Sequence, residues 1–406
     1  MPPPLPTPIS TVTVPRYFSP SNWLLMERCP LRVWSGTEGP LPESIEAIVG
    51  SLLHHAREAV LTQGLTGVDH SRQVEECLII HRDHYEARLR SDPGYAALIP
   101  IQEAIGRLRW LELTEELKSW ARLAETPIKN SNSVGEKSPL RVKQKGGSAP
   151  NDVFPNSFSL GAEQWWTCNP LRLRGRADEA RLTADGVIEV TDYKTGVSVD
   201  ANGRLMPNIE MQMELYLLMA ETLTSRPARG RVYGRKEVSV PWDLEKSKRL
   251  LVHLQEFTAR FPVGKQLAAD VAALPGTHCI GCRLRPSCKQ YLERVPAWWE
   301  NNGEHPRPLP FDVWGRITRH ERAAQGWSVW LEDAAGRRVV LRGLADTHGI
   351  GSLPAGILLY AFNLEPTEDT YAHGRRIHPR SFHEWQPGPR WRCARQTRLF
   401  TERAVT

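Results

Sequence analysis

The stretch GRADEARLTADGVIEVTDYKTG, residues 175–196, reads as a strand, a tight turn and a second strand. Asp185-Gly186 is a turn dipeptide, because glycine accepts the positive φ that short hairpin turns demand, and β-rich runs flank it. Asp178 stands on the first strand, and Asp192, Tyr193 and Lys194 close the second. Side chains alternate along a strand, so Asp192 and Lys194 share one face and Tyr193 points to the other. The bland reading is a surface hairpin with an Asp–Lys salt pair, the ordinary state of exposed charges. What the neighbouring segments contribute decides between that and a site.

Two carboxylates and a lysine at strand ends suit a Mg²⁺ centre that hydrolyses phosphodiesters. Mg²⁺ prefers one or two carboxylates and keeps its other positions for water and substrate oxygens. Asp178 and Asp192 would supply the carboxylates, the Tyr193 carbonyl another oxygen, and Lys194 would orient or help deprotonate the attacking water. The following helix, NIEMQMELYLLMAETL, places Gln212 and Tyr216 four apart on one face, with Ile209, Met213 and Leu217 available to pack on a sheet. Upstream, LPESIEAIVGSLLHHAREAV has apolar residues at helical spacing and sets Gly50 and His54 on one face. Glu163 lies on the β segment FSLGAEQWW before the hairpin.

The run G-R-A-D, then D-Y-K-T-G, then Q-x-x-x-Y resembles the PD-(D/E)xK nuclease superfamily in its RecB-type branch. That branch also carries a Gly-x-x-x-His element on an upstream helix, matched by Gly50 and His54. The resemblance implies a Mg²⁺ or Mn²⁺ site of His54, Asp178, Asp192 and the Tyr193 carbonyl, with Lys194 as catalytic lysine. It implies that Gln212 and Tyr216 line the active site and DNA path, and it offers Glu163 as a further acidic position. Arg176, inside the motif, is a candidate phosphate contact.

THCIGCRLRPSCKQY gives Cys279-x2-Cys282-x5-Cys288, and three thiols so close together are more often metal ligands than packing. A fourth ligand is missing locally. The cluster-bearing members of the RecB-type branch, including CRISPR adaptation exonucleases and the AddB nuclease domain, take one cysteine from before the core. The resemblance implies that Cys29, in a Cys-Pro context, is that ligand and that a [4Fe–4S] cluster staples the N-terminal lobe to the end of the core. Zinc is the alternative, since four thiolates also suit it. Cys77, Cys168 and Cys393 have no such spacing and read as free thiols.

The expected fold class is α/β. A helical N-terminal lobe (1–126) opens on a proline-rich, extended or frayed lead-in over residues 1–16 and is followed by a flexible basic loop (127–157). A restriction-endonuclease-like core with a mixed central sheet flanked by helices spans 158–297, and a linker 298–310. An all-β module over 311–386, with about five short strands, resembles an OB-fold barrel; a basic tail over 387–406 reads as a disordered phosphate-binding arm. Trp327, Trp330, Arg337, Arg338 and Arg342 are the module's candidate nucleic-acid contacts, although such a barrel also serves as a docking element. The 406-residue chain has ordinary hydrophobic content and a net charge of +6, which leans toward an anionic partner. No apolar run suits a membrane span and the first residues do not form a signal peptide, so the expectation is a cytoplasmic protein. No P-loop occurs, so a DNA substrate that needs unwinding calls for a helicase or another repair or defence partner. The rival to a nuclease is a catalytically inactive nucleic-acid-binding or scaffolding subunit.

Overall fold

The computed structural model describes residues 1–37, 39–63, 70–90, 99–124, 154–194, 198–234, 236–279, 281–300, 311–324, 326–334, 336, 338–366, 383–387 and 397–402. In chain order these form β1 (Thr11–Thr13), α1 (Trp23–Arg28), α2 (Pro30–Trp34), α3 (Ile45–Gln63), α4 (His70–Leu89), α5 (Ile101–Ile105) and α6 (Arg107–Ala124). The core adds β2 (Gly161–Cys168), β3 (Leu173–Leu182), β4 (Ile188–Tyr193), α7 (Pro207–Thr224), β5 (Ala228–Tyr233), β6 (Glu237–Val240), α8 (Leu244–Arg260), β7 (Gln266–Ala268), α9 (Ala269–Ala272) and α10 (Lys289–Glu300). The last unit is β8 (Phe311–Ala323), β9 (Gly326–Glu332), β10 (Arg338–Leu344), β11 (Leu358–Pro366), β12 (His383–Pro387) and β13 (Arg398–Thr401).

The hairpin is β3–β4, and Gly186 takes the positive φ of 79° that its turn requires. It lies inside a five-stranded sheet of order β2-β3-β4-β5-β6. β4 and β5 are parallel, so a crossover must join them, and α7 supplies it. This helix buries Ile209, Met213, Tyr216, Leu217 and Ala220, spaced at the helical period, in one core with Trp166, Val190 and Val232 of the sheet. Phe18, Trp23 and Phe257 extend that core, with ring centroids 5.4 Å apart for Phe18–Phe257 and 4.8 Å for Trp23–Phe257. A second core, formed by Ile48, Leu52, Val74, Leu78, Leu113 and Leu117, holds α3, α4 and α6 together. A φ of 86° at Gly106 breaks α5 from α6.

In the last unit, β8, β9, β10, β12 and β11 pair in a ring that closes from β11 back to β8, with β10–β12 its parallel pair. Three sequence expectations are corrected. The lead-in is extended, as one alternative had it, and not frayed: Val12 and Val14 are buried, β1 pairs with β7, and Leu5 donates its N–H to the Thr401 carbonyl at 2.8 Å. The basic tail includes β13, which pairs with β11 and buries Leu399 and Phe400; side chains with an apolar partner surface override a polar composition. The stretch 298–300, expected in the linker, continues α10.

The barrel and the core share a buried charge. Arg285 beside the cysteines places Nε 2.7 Å from Asp312 Oδ2 on β8, and both side chains are buried. Tyr291 donates to the same carboxylate at 2.5 Å and the Asn363 N–H donates at 2.9 Å. Removing one partner of such a pair leaves the other charge buried and uncompensated, which costs about 3–5 kcal/mol. Asp312→Ala is therefore expected to lower the urea unfolding midpoint by a free energy of that order. Arg316→Ala, which breaks an exposed pair with Glu402, should cost at most about 1 kcal/mol.

Candidate active site

β3 changes its inside–outside phase at Asp178. Leu173, Gly175 and Ala177 are buried in alternation, yet the next buried residue is Ala180. Across the ladder, between the pairs Ala162–Glu179 and Gln164–Ala177, Glu163 adopts a φ of 57°. This left-handed conformation costs a non-glycine residue roughly 1–3 kcal/mol and concentrates at functional sites. The two irregularities sit side by side and gather both carboxylates under His54 of α3. His54 Nε2 lies 2.8 Å from Glu163 Oε1 and Nδ1 lies 3.9 Å from Asp178 Oδ1. Ligand atoms of His54, Glu163 and Asp178 are all within 4.8 Å of one another. The Tyr193 N–H donates to Asp178 Oδ2 at 2.7 Å, fixing the end of β4 against this group.

On β4, Asp192 is buried. Lys194 Nζ donates to Asp192 Oδ1 at 2.9 Å and to Gln212 Oε1 at 3.2 Å, while Gln212 Nε2 donates to the same carboxylate oxygen at 3.1 Å. The three side chains form a closed triangle. The backbone of Lys194 is fixed too, its N–H donating to the Tyr233 carbonyl at 2.7 Å as the β4–β5 pairing continues. Asp192 Oδ2 has the ammonium at 2.9 Å but no directed hydrogen bond, which leaves it a free lone pair. The Tyr193 ring points away, its hydroxyl donating to Glu179 at 2.6 Å.

Tyr216 plays a different part. Its hydroxyl is buried and donates to the Arg176 carbonyl at 2.9 Å, so it ties β3 to α7. This contact explains the glycine of the G-R-A-D run: a Cβ at Gly175 would sit 2.7 Å from Tyr216 Oη and 2.9 Å from Pro20 Cδ. Arg176 places Nε 2.7 Å from Glu163 Oε2 and Nη2 3.4 Å from His54 Nε2. Three acids and three basic groups thus interlock at one end of the sheet.

A family model described as the PD-(D/E)XK nuclease superfamily matches residues 17–289, which span every side chain of this centre. The chain belongs to that superfamily. No curated protein matches the chain. Divalent metals commonly serve PD-(D/E)XK enzymes, and the residues present fit one. Burial raises the proton affinity of both carboxylates, Asp192 to about 6, against the opposing pull of Lys194 and His54. A cation among His54, Glu163, Asp178 and Asp192 would replace those protons.

Cys29, Cys279, Cys282 and Cys288 are all buried and line one cavity. Cys29 is there because it separates α1 from α2, with Pro30 opening the second helix. Burial, with lesser repulsion from the neighbouring thiols, pushes the Cys279 thiol to about 11 and the Cys288 thiol to about 12. Among the described residues only His54, Glu163 and Asp178 bring three histidine, cysteine or carboxylate ligand atoms within 4.8 Å of one another; the cysteines share the cavity at wider spacing. The Gly276 N–H faces Cys279 Sγ at 3.4 Å, and Arg32 donates to the His278 and Gly281 carbonyls at 2.5 and 2.9 Å, clamping the loop. Cys168 is buried in β2, Cys77 is half-buried, and Cys393 lies outside the described residues.

Of the expected nucleic-acid contacts among the described residues, only Arg176 joins this centre. The Trp327 indole donates to Asp346 at 2.8 Å, Trp330 is covered by Arg319 at 3.8 Å from its ring centroid, and Arg338 places Nε 2.9 Å from Glu332. Arg342 is exposed on β10, and Arg337 lies outside the described residues. Glu163 belongs to the site more firmly than its sequence context suggested. The resemblance offered it only as a further acidic position, and its place opposite Asp178 on the neighbouring strand is what sets it beside His54.

The raised proton affinities fix the sign of a pH dependence. Asp192 gains a proton as pH falls through about 6, and His54 is raised above its ordinary value chiefly by its hydrogen bond to Glu163. Protons and cation compete, so Mn²⁺ affinity, measured by titration calorimetry, should rise from pH 5 to pH 8. The gain should approach about tenfold per pH unit for each proton displaced. Asp192→Asn should remove the component near pH 6.

Proposed function

We propose that this chain is a RecB-type, divalent-metal-dependent DNA nuclease that acts on single strands or ends. The observation that carries the reading is the Lys194–Asp192–Gln212 triangle set beside His54, Glu163 and Asp178. Asp178, Asp192, His54 and the Tyr193 carbonyl would hold the cation, with Glu163 as a further ligand or as the partner that orients His54. Mg²⁺ or Mn²⁺ would supply Lewis-acid stabilisation of the charge developing on phosphate oxygens. Lys194, positioned by two acceptors and by its own backbone, orients the attacking water and offsets negative charge. Gln212 holds the lysine and carboxylate in register, and Tyr216 acts behind them by fixing β3.

Four cysteines lining one cavity support a four-thiolate centre, and the resemblance favours [4Fe–4S] over zinc. The pairing order of the C-terminal ring, with its third and fifth strands parallel, supports an OB-like barrel. No described helix is long and apolar enough to cross a membrane, which agrees with a cytoplasmic role. Work beside a helicase in DNA repair or anti-phage defence follows by analogy with the branch.

Mg²⁺- or Mn²⁺-dependent degradation of end-labelled DNA is expected from the wild type and should fall about 10²–10³-fold in Lys194→Ala, the scale of losing a transition-state charge contact. Equal behaviour of the two proteins at equal purity would assign the fold to a scaffolding role. Anaerobically purified protein should be brown, absorbing at roughly 400 nm from thiolate-to-iron charge transfer, and Cys288→Ser should bleach it. Colourless protein that contains zinc would replace the cluster assignment.

A further inference from the structure

The edge of the sheet beside this centre carries a row of groups that the chemistry above does not use. Across the β2–β3 ladder, Trp165 pairs with Arg176 and Thr167 with Arg174. These side chains share the face opposite the buried Trp166, Gly175 and Leu173. β2 is an edge strand, and Trp165 is 54% exposed. A single exposed tryptophan needs no explanation, but this one has a neighbour that does. The Arg174 guanidinium carbon lies 3.7 Å from the Phe154 ring centroid and 4.7 Å from that of Trp165. Among the described residues no carboxylate pairs with it, so two aromatic faces hold its charge. Its Nε is buried with no acceptor.

The row points at the candidate active site. Positions 174, 176 and 178 succeed one another at intervals of roughly 6.7 Å along β3, comparable with the step between phosphates of an extended single strand. Arg176, between the clamped arginine and Asp178, already touches Glu163 and His54. We propose that Phe154, Arg174 and Trp165 form a track for the single-stranded part of a DNA substrate, leading along β2–β3 to Asp178. The Trp165 indole stacks a base, and Arg174, held flat by its two rings, meets the backbone phosphate. Stacking requires an unpaired base, so the track selects single strands over duplex. The direction of the track rests on the nuclease reading; the binding surface itself does not.

The test measures binding of fluorescein-labelled oligodeoxythymidylate and of a blunt duplex by anisotropy, in EDTA so that nothing is cut. Full-length wild type, Trp165→Ala, Trp165→Phe and Arg174→Gln are compared, and cleavage by wild type and Lys194→Ala is followed separately in Mn²⁺. Trp165→Ala is expected to weaken single-strand binding roughly tenfold or more, on the scale of one lost base–aromatic stack. Trp165→Phe should retain most of the affinity, Arg174→Gln should weaken binding and flatten its salt dependence, and duplex binding should change little. Wild-type affinity in both Trp165→Ala and Arg174→Gln, or no single-strand binding by the wild type, overturns the track, whatever the cleavage assay shows. Trp165-dependent binding without Lys194-dependent cleavage supports the track and removes the nuclease reading instead.

Discussion

Burying the Asp192 carboxylate is the constraint to which the rest of this centre answers. A lone carboxylate in that position would take up a proton, and burial does push it that way. Lys194 and Gln212 oppose that tendency from one side, and the His54–Glu163–Arg176 set extends the balance on the other. A network so close to neutral has spare acceptor capacity and few spare donors. Such a pocket receives a small hard cation more readily than an anion.

The scaffold serves that balance. The parallel β4–β5 pair requires a crossover, and the crossover helix α7 brings Gln212 to the triangle and Tyr216 to the back of β3. His54 comes from another core altogether, the one built by α3, α4 and α6. Its approach depends on how that helical layer is held. The cysteine cavity joins α1 and α2 to the segment after α9, and Arg283 extends the same tie to the start of the helical layer through the Leu41 carbonyl at 2.6 Å.

Much of this was legible in the sequence because local rules produced it. Alternation gave the β3–β4 hairpin and the sides taken by Asp192, Tyr193 and Lys194; helical periodicity put Gln212, Tyr216 and His54 on helices. Glu163 was harder, since its place depends on cross-strand register and on a left-handed residue that no local propensity favours. Fraying of the lead-in and disorder of the tail were expected for one reason. Proline and arginine composition predicts solvation, but β1 is fixed by β7, about 250 residues away, and β13 by β11 and by residues 3–5. The barrel tryptophans looked like a stacking face, yet Trp327 and Trp330 are already engaged by Asp346 and Arg319.

Pairing between residues 3–5 and Thr401 gives the molecule a seam where an early segment meets its last described strand. Loop-closure entropy rises slowly with length, so the contact is thermodynamically inexpensive, but it cannot form before residue 401 is available. Residues near the start must wait, exposed, until residue 401 has emerged. The nuclease core can assemble its sheet before then, and the counterion of Arg285 needs only residues 312 and 363. Final consolidation of this fold therefore waits on contacts between its most sequence-distant described segments.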